Sequence, residues 1–391
     1  MRVLISGFYG FGNAGDEALL SGMLRALAPY GVKAVVISSD PAGTRALHGA
    51  AAVGRGDWRG IVRELRCADL FISGGGGLLQ DRTSRRSALY YLGLLALAQR
   101  MGVPTYLYGQ GVGPVETAVV RAAAGLILPR AAGAGARDRR SAAEFVRLGL
   151  PPERVEVTAD AAFALPPVSA DESERALLAA GIDADRRWIG LAWRPPVRSR
   201  RRRPGDGFHP DLETRSGSGK TGAGPAGSPA RSVAFATARW AKEIEACIAV
   251  LPMHPAMDLD EAHRIADEIA ASGVHARVAG GGLDFRGVRA ILAGVELVVS
   301  VRYHGLLFAA SAGVPCVGIA YDPKVAALGE EFGFESLPLD AGEGEVFGAI
   351  ERAYARRREF KERAQERAAI LRRRAEADAA RCVGAARGEL P

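Results

Sequence analysis

The sequence predicts an α/β protein with two Rossmann-like domains, and three observations lead to this prediction. Short apolar or β-branched runs alternate with amphipathic helical runs over the first 165 residues, and a second alternating block begins near Trp188. Glycine-rich segments follow several of the predicted strands. The chain has 391 residues, which is too long for one ordinary core and suits two domains of about 150 to 200 residues each.

The predicted strands of the first domain (1–168) are short runs of aliphatic and β-branched residues. They are Arg2–Ser6, Lys33–Ser38, Asp69–Ser73, Thr105–Gly109, Ala134–Arg137 and Val155–Thr158. Helices follow most of them, for example over Glu17–Leu27 and Ser87–Met101. This alternation is typical of a parallel sheet covered by helices.

The second domain (169–345) repeats the pattern. Its predicted strands are Trp188–Trp193, Ala246–Pro252, His275–Val278, Leu297–Ser300 and Cys316–Ile319. Between the first two of these, residues 195–232 are dense in Pro, Gly, Ser and Arg, which predicts a mobile loop. A long Ala/Arg/Glu run in the tail (346–391) predicts one C-terminal helix.

Composition narrows the class of protein. No apolar stretch approaches the roughly 18 to 20 residues that a membrane span needs, and Met1 and Arg2 lead directly into a strand with no signal-peptide pattern, so a cytoplasmic protein is expected. The four cysteines are far apart in the sequence and form no CxxC pair, which predicts reduced thiols and no metal or other cofactor.

The net charge of +7 is unevenly distributed. Residues 196–232 and 352–374 carry +5 and +7, so the rest of the chain carries −5. A basic loop and a basic helix on a mildly acidic body suit an anionic lipid surface or a diphosphate-linked substrate at least as well as nucleic acid. We expect no nucleic-acid partner, and solvated surface charge is the alternative explanation.

Glycine-rich segments lie where strands of the first domain end. They are GFYGFGNAGDEALL, GGGGLLQD, YGQGVGP and GAGARDRRS. Ligands bind at the carboxyl ends of strands in open α/β sheets, and glycine lets the backbone approach them closely. The glycine spacing in the first segment does not match a dinucleotide-binding fingerprint. The candidate substrate-binding residues from these segments are Asn13, Asp16, Gly75, Gly76 and Gln110, although helix capping equally explains Asn13 and Asp16.

The second domain contains the sharper pattern, SVRYHGLLFAASAGVPCVGIAYDPKV. Arg302 and His304 follow a predicted strand and begin an apolar helix, an arrangement that suits a phosphate or carboxylate with a proton donor beside it. Lys324 follows the next strand and could contact the same anion. By contrast, the segment with His254, Asp258, Asp260 and His263 is better explained as strand, loop and amphipathic helix than as a metal site.

With these motifs in order, the chain resembles the polysaccharide pyruvyl transferase family. The resemblance covers most of residues 1–335 and is carried by GNAGDEALL, SGGGGLLQDRTSRRSALYYLGLLALA, YGQGVGP, ARDRRSAAEF, TADAAFAL and the Arg302-containing segment. It is specifically similar to the bacterial branch that modifies secondary cell-wall polymers for anchoring surface-layer proteins.

The resemblance implies a GT-B-like fold, with two Rossmann-like domains facing across a cleft, and a metal-independent transfer from phosphoenolpyruvate. It makes His304 the general acid and Arg302 and Arg137 anion contacts, with Lys324 assigned by the same comparison. The implied product is a 4,6-pyruvate ketal on the N-acetylmannosamine of a disaccharide linked to undecaprenyl diphosphate. Such an acceptor would place the protein at the inner face of the cell membrane.

Some alternatives stay open. The general base is undecided between Asp16, Asp138 and other residues. A GT-B glycosyltransferase that uses a nucleotide-sugar would share the fold and an Arg/His/Lys cluster. A non-catalytic protein that binds a polyprenyl-diphosphate glycan is a further alternative.

Overall fold

The computed structural model describes residues 1–81, 84–194 and 228–389. Among these residues the chain divides into two compact units. The first unit contains residues 1–166 and 370–389, and the second contains residues 167–194 and 228–369.

An eight-stranded parallel sheet forms the centre of the first unit. Its strands are β1 (Arg2–Ser6), β2 (Lys33–Ser38), β3 (Ala51–Gly54), β4 (Leu70–Ser73), β5 (Gly76–Leu79), β6 (Thr105–Val112), β7 (Gly133–Ala136) and β8 (Val155–Val157). The strand order is β3-β2-β1-β4-β6-β7-β8, and β5 pairs with β6. The strands consist largely of buried aliphatic residues, as expected for a sheet covered on both faces.

Six α-helices of the first unit connect these strands. They are α1 (Ala14–Leu27), α2 (Pro41–His48), α3 (Trp58–Arg66), α4 (Arg85–Arg100), α5 (Ala118–Ile127) and α6 (Arg139–Arg147). Polar side chains begin most of them: those of Asn13, Asp40, Asp57, Ser84 and Asp138 each accept a hydrogen bond from a backbone N–H of the first turn. Helices α3 to α6 contribute to one hydrophobic core on a face of the sheet.

The second unit begins with α7 (Ala170–Ala179) and contains a six-stranded parallel sheet. In chain order its elements are β9 (Trp188–Ala192), α8 (Pro229–Glu243), β10 (Cys247–Val250), α9 (Pro255–Ala271), β11 (Ala276–Val278), α10 (Phe285–Ala293), β12 (Leu297–Ser300), α11 (Tyr303–Ala312), β13 (Cys316–Ala320), α12 (Pro323–Phe332), β14 (Glu335–Pro338) and α13 (Glu343–Ala355). The strand order is β11-β10-β9-β12-β13-β14. Two Rossmann-like domains are thus confirmed.

The sequence did not predict three of the strands, because their residues have low β-strand propensity. β3 is AAVG, β5 is GGLL, and β14 is ESLP, so each lacks a run of β-branched residues. All three complete or extend a sheet whose other strands were predicted. Their pairing partners, rather than their own propensity, therefore fix them as strands.

The end of the predicted loop 195–232 is wrong. Residues 195–227 lie outside the described residues, but α8 already begins at Pro229. The side chain of Ser228 accepts a hydrogen bond from the N–H of Arg231, and proline suits the first helical position because it needs no N–H donor there. The last four residues of the predicted loop, 229–232, are therefore the first turn of α8.

The single C-terminal helix predicted after residue 345 is in fact two helices. α13 ends at Ala355, and α14 (Arg357–Arg387) follows after Arg356, whose φ of −93° and ψ of 11° interrupt the helical path. Residues up to 369 group with the second unit and those from 370 onward with the first. None of the helices in the described ranges is long and apolar enough to span a bilayer.

A buried carboxylate joins α14 to the first sheet. Asp378 accepts hydrogen bonds from the Tyr106 hydroxyl at 2.6 Å, the Gly109 N–H at 2.8 Å and the Thr158 hydroxyl at 3.3 Å. A Cβ at Gly135 would lie 2.1 Å from the carboxylate, so only glycine leaves room for it. Burial raises the pKa of Asp378 to about 7, against the opposing effect of its hydrogen bonds.

Because its pKa is higher in the folded than in the unfolded chain, Asp378 binds its proton more tightly in the folded protein. The free energy of unfolding should therefore fall as the pH rises from 3.8 towards about 7. Asp378→Asn is expected to remove this part of the pH dependence, measured by urea unfolding at several pH values. Glu376→Gln, an exposed carboxylate on the same helix, should retain it. Equal slopes for wild type and Asp378→Asn would contradict the raised pKa.

Candidate anion site at the strand ends

The second sheet reverses its chain order between β9 and β12. From that point β9, β10 and β11 run outward in one direction and β12, β13 and β14 in the other. Ligands of open parallel sheets bind at the carboxyl ends of the strands beside such a reversal. Arg194 follows β9, Arg302 follows β12 and Tyr321 directly follows β13, so these three side chains begin at the same edge.

Arg302 is held at this edge by its backbone and by its side chain. Its N–H donates a hydrogen bond to the buried Ser300 hydroxyl at 2.8 Å, at the position where α11 begins. Its guanidinium forms an ion pair with Asp258, which is fully buried. Burial lowers the pKa of Arg302, while the charge of Asp258 opposes this effect.

Asp258 lies in the first turn of α9 and is fixed by its own helix. Its Oδ2 accepts a hydrogen bond from the N–H of His254 at 2.9 Å, and its Oδ1 receives the guanidinium of Arg302. Burial, and next the charge of Arg302, lower the pKa of His254. The segment is strand, loop and helix, as predicted, but its aspartate and histidine belong to the surroundings of Arg302.

Tyr321 lies among three cations. The Arg194 guanidinium is 5.4 Å from the centre of its ring and the Lys324 ammonium is 5.8 Å away. Burial alone would raise the pKa of Tyr321, but the charges of Lys324, Arg194 and Arg302 outweigh burial and lower it. A phenol ionises more easily only where the local potential is positive, so this edge of the sheet attracts anions.

His304 lies in the first turn of α11, two residues after Arg302. Its ring centre is 5.1 Å from that of Tyr303 and 6.0 Å from that of Phe308, and its Nε2 atom is shielded from solvent. A Cβ at Gly305 would lie 2.9 Å from the Ser300 hydroxyl, so the helix starts tightly against the end of β12. The imidazole is thus placed in the first turn of α11, two residues after Arg302 in the sequence.

The glycine-rich candidates of the first unit also meet at a strand reversal, between β1 and β4. Gly76 has a φ of 94°, and a Cβ there would lie 3.1 Å from Asp16 Oδ1, so the carboxylate lies against the backbone. Gly76 pairs in register with Gln110, which is fully buried in β6. Asn13 caps α1 by accepting the Gly15 N–H at 3.0 Å. A Cβ at Gly75 would lie 3.0 Å from Leu19.

Arg137 lies one residue beyond β7 instead of inside the strand. Its side chain is 7 % exposed, with Nη1 3.7 Å from Asp160 Oδ2 and Nε 3.5 Å from Asp138 Oδ2. The guanidinium also occupies the space beside Gly111, where a Cβ would lie 2.2 Å from Nη2. The contact that this arginine was expected to make with an anion stays a prediction.

Sequence reasoning identified Arg302, His304 and Lys324 but missed Arg194, Asp258 and Tyr321. Arg194 stands at the start of the Arg-rich stretch and was not separated from it. Asp258 is a first-turn helical aspartate, a common position for a carboxylate without a functional role. The strand order would have distinguished all three, because it places the ends of β9, β10, β12 and β13 side by side.

The fold and this site define the class of protein: a GT-B-like α/β protein with a cationic site at the carboxyl edge of a parallel sheet. Similar solved structures include the MnaA–UDP complex of S. aureus, with 12% identity, 93% of this chain and 90% of that chain covered, and a TM-score of 0.61. The UDP-GlcNAc 2-epimerase of Neisseria meningitidis bound to UDP-GlcNAc has 11% identity, coverages of 96% and 99%, and a TM-score of 0.59. HepE of Anabaena in complex with UDP-glucose has 14% identity, coverages of 100% and 98%, and a TM-score of 0.55.

These structural likenesses show the fold. No curated protein matches the chain in sequence. The polysaccharide pyruvyl transferase family model matches residues 13–323, which is most of the chain and includes the ends of β9, β12 and β13. The protein belongs to the polysaccharide pyruvyl transferase family, so the resemblance seen in the sequence is confirmed at the level of the family.

Asp258→Asn should destabilise the protein by about 3 kcal/mol, because it leaves the buried guanidinium of Arg302 without its counter-charge. Urea unfolding, with tryptophan fluorescence as the signal, measures the change. Asp260→Asn is the matched control, since Asp260 is exposed on the same helix and should change the free energy of unfolding by less than about 0.5 kcal/mol. A variant at position 258 as stable as the control would show that the ion pair does not hold Arg302.

Proposed function

We propose that this pyruvyl transferase takes its enolpyruvyl group from phosphoenolpyruvate and attaches it to a cell-wall glycan sugar as a 4,6-pyruvate ketal, releasing phosphate. The family supports the transfer of pyruvate. The observation that carries the choice of donor is the group of three cations around Tyr321, namely Arg194, Arg302 and Lys324, with His304 two residues after Arg302 in the first turn of α11.

Phosphoenolpyruvate presents a phosphate and a carboxylate within a few atoms of each other, which requires several donors at one place. A guanidinium binds such groups through paired N–H donors, and a helix N-terminus adds backbone N–H groups. Arg302 still has a donor to offer: its buried Nε has no hydrogen-bond acceptor among the residues that the structure describes. Arg194 adds positive charge from the end of β9, and Lys324, whose ammonium lies 3.6 Å from Asp322 Oδ2, adds a further cation after β13.

The proposed reaction has two steps. A sugar hydroxyl gives up its proton to a general base and adds to C2 of phosphoenolpyruvate while His304 delivers a proton to C3, so the C2–C3 double bond is replaced by a C–O bond at C2 and a C–H bond that completes the C3 methyl group. The C2–O bond to phosphate then breaks, and a second hydroxyl of the same sugar attacks C2 and loses its proton, which closes the ketal. Imidazole suits the first step because it can donate a proton near neutral pH.

The acceptor we propose is the N-acetylmannosamine of a disaccharide linked to undecaprenyl diphosphate, as in the cell-wall branch of the family that anchors surface layers. A lipid-linked acceptor requires the enzyme to work at the inner face of the cell membrane. The excess of basic residues between 352 and 374 supports this placement.

A nucleotide-sugar glycosyltransferase is the second candidate, because the similar MnaA and HepE structures are complexes with UDP or UDP-glucose. Thermal melting separates the two, since a ligand that binds only the folded protein raises Tm. Stabilisation by phosphoenolpyruvate and not by UDP-sugars supports pyruvyl transfer, and the reverse result supports the second candidate.

The decisive experiment incubates the protein with phosphoenolpyruvate and a lipid-linked disaccharide that contains N-acetylmannosamine. Mass spectrometry measures the pyruvyl ketal gained by the acceptor. One phosphate released for each ketal gained would establish the donor and the reaction together. If neither phosphate release nor ketal formation is observed with an intact lipid-linked acceptor, the proposed reaction is wrong.

His304→Gln should lower the rate of phosphate release by at least about a hundredfold while leaving Tm nearly unchanged, because it removes the proton donor and keeps an amide of similar size. His263→Gln is the control, since this histidine is exposed on α9. A His304→Gln enzyme with near wild-type activity would exclude His304 as the general acid.

Lys324→Gln is expected to raise KM for phosphoenolpyruvate by about tenfold with a smaller effect on kcat, because one charge that binds the donor is lost. Steady-state kinetics measure both constants. Lys242→Gln, an exposed lysine at the end of α8, should leave them unchanged. If KM is the same in both variants, Lys324 does not bind the donor.

A further inference from the structure

Helix α5 lies on the surface of the first unit but is apolar on nearly all sides. Its sequence is AVVRAAAGLI, so Arg121 is its one charged or polar side chain. Val120 and Ala124 are buried against the core, yet Val119 is 65 % exposed and Leu126 66 % exposed on the opposite side. A helix that is apolar all round is normally covered, and a surface helix normally presents polar residues to water.

Helix α4 packs against α5 and also has apolar residues on its surface. Asp81, four residues before α4, accepts hydrogen bonds from the N–H groups of Glu116 at 2.9 Å and Thr117 at 2.7 Å, directly before α5. On α4, Leu89 and Gly93 are exposed. The α4–α5 face is defined here by the exposed residues Leu89, Gly93, Val119, Ala122 and Leu126.

The exposed charges on the two helices themselves are all basic, while Glu116, two residues before α5, is an exposed carboxylate. Neither helix contains an acidic residue. The exposed cations on the two helices and just beyond α5 are Arg85, Arg86, Arg100, Arg121 and Arg130. Arg121 and Arg130 donate to the backbone carbonyls of Glu116 and Leu126, so these hydrogen bonds leave their charges uncompensated.

We propose that the α4–α5 face is the surface by which this protein binds an anionic lipid bilayer. Apolar side chains flanked by arginines match the boundary between acyl chains and anionic headgroups, where both kinds of group are stabilised. A symmetric contact with a second copy fits less well, because it would bring arginines of one sign against each other.

This inference rests on the proposed function only in taking a membrane as the partner. What it adds is the surface of the first unit that contacts the membrane. The α4–α5 face is distinct from the basic segment 352–374, which lies in α13 and α14. Binding to vesicles requires neither phosphoenolpyruvate nor a sugar acceptor. Failure of the face would therefore leave the proposed pyruvyl transfer standing, and failure of the transfer would leave the face standing.

The test is flotation of the full-length protein with vesicles of phosphatidylcholine alone or mixed with phosphatidylglycerol. The wild type should bind the mixed vesicles, and high salt should weaken the binding. The double variant Val119→Ser/Leu126→Ser should bind about tenfold more weakly, since both apolar side chains are lost. Arg121→Gln should reduce the partition coefficient about fivefold.

Helix α7 offers matched controls in the second unit. Leu178 is 58 % exposed and Arg175 is exposed on the same helix, but three acidic residues accompany them there. Leu178→Ser and Arg175→Gln should bind vesicles like the wild type. All these positions are on the surface, so each variant should keep the wild-type Tm.

Three results would overturn the proposal. In the first, the wild type fails to bind the mixed vesicles, and in the second, the Val119→Ser/Leu126→Ser variant binds them as strongly as the wild type. The third is a wild type that sediments as a dimer and a double variant that sediments as a monomer, which would make the α4–α5 face a contact between copies of the chain.

Discussion

The ion pair between Arg302 and Asp258 is the contact on which the candidate anion site of the second unit depends. It joins the end of β12 to the first turn of α9, so residues 44 positions apart meet at the point where the sheet reverses its order. A buried guanidinium is costly without a counter-charge. Asp258 provides that charge and uses its second oxygen on the His254 N–H, which orients the carboxylate and leaves the rest of the guanidinium for a ligand.

The positive potential at this edge comes from strand order and not from any local cluster in the sequence. Arg194, Arg302 and Lys324 are separated by 108 and 22 positions, but each follows the carboxyl end of a strand in the adjacent series β9, β12 and β13. Parallel strands place all such ends on one edge. Burial and the charge of Asp322 would raise the pKa of Tyr321, but the charges of Lys324, Arg194 and Arg302 together lower it.

Much of the fold followed from local pattern. The strands with β-branched or aliphatic runs were predicted within a few residues, whereas β3, β5 and β14 depend on neighbouring strands and could not be found from AAVG, GGLL and ESLP. In the site, Arg302, His304 and Lys324 were identifiable because they stand next to predicted strand ends. Asp258 was not, since its role arises from a partner that only the sheet order brings to it.

Two fully buried aspartates show how surroundings separate structure from function. Asp378 receives a tyrosine hydroxyl, a threonine hydroxyl and a backbone N–H, and burial raises its pKa to about 7, so it acts as a polar contact between α14 and the first sheet. Asp258 instead faces a guanidinium at a strand end. Desolvation favours the neutral acid at Asp378 although the hydrogen-bond donors around it oppose this effect, whereas a buried cation beside Asp258 maintains a pair of charges. Maintaining charge inside a protein is costly, and it is most useful where a charged substrate is bound. The partner of a buried carboxylate is therefore a better guide to the site than its burial.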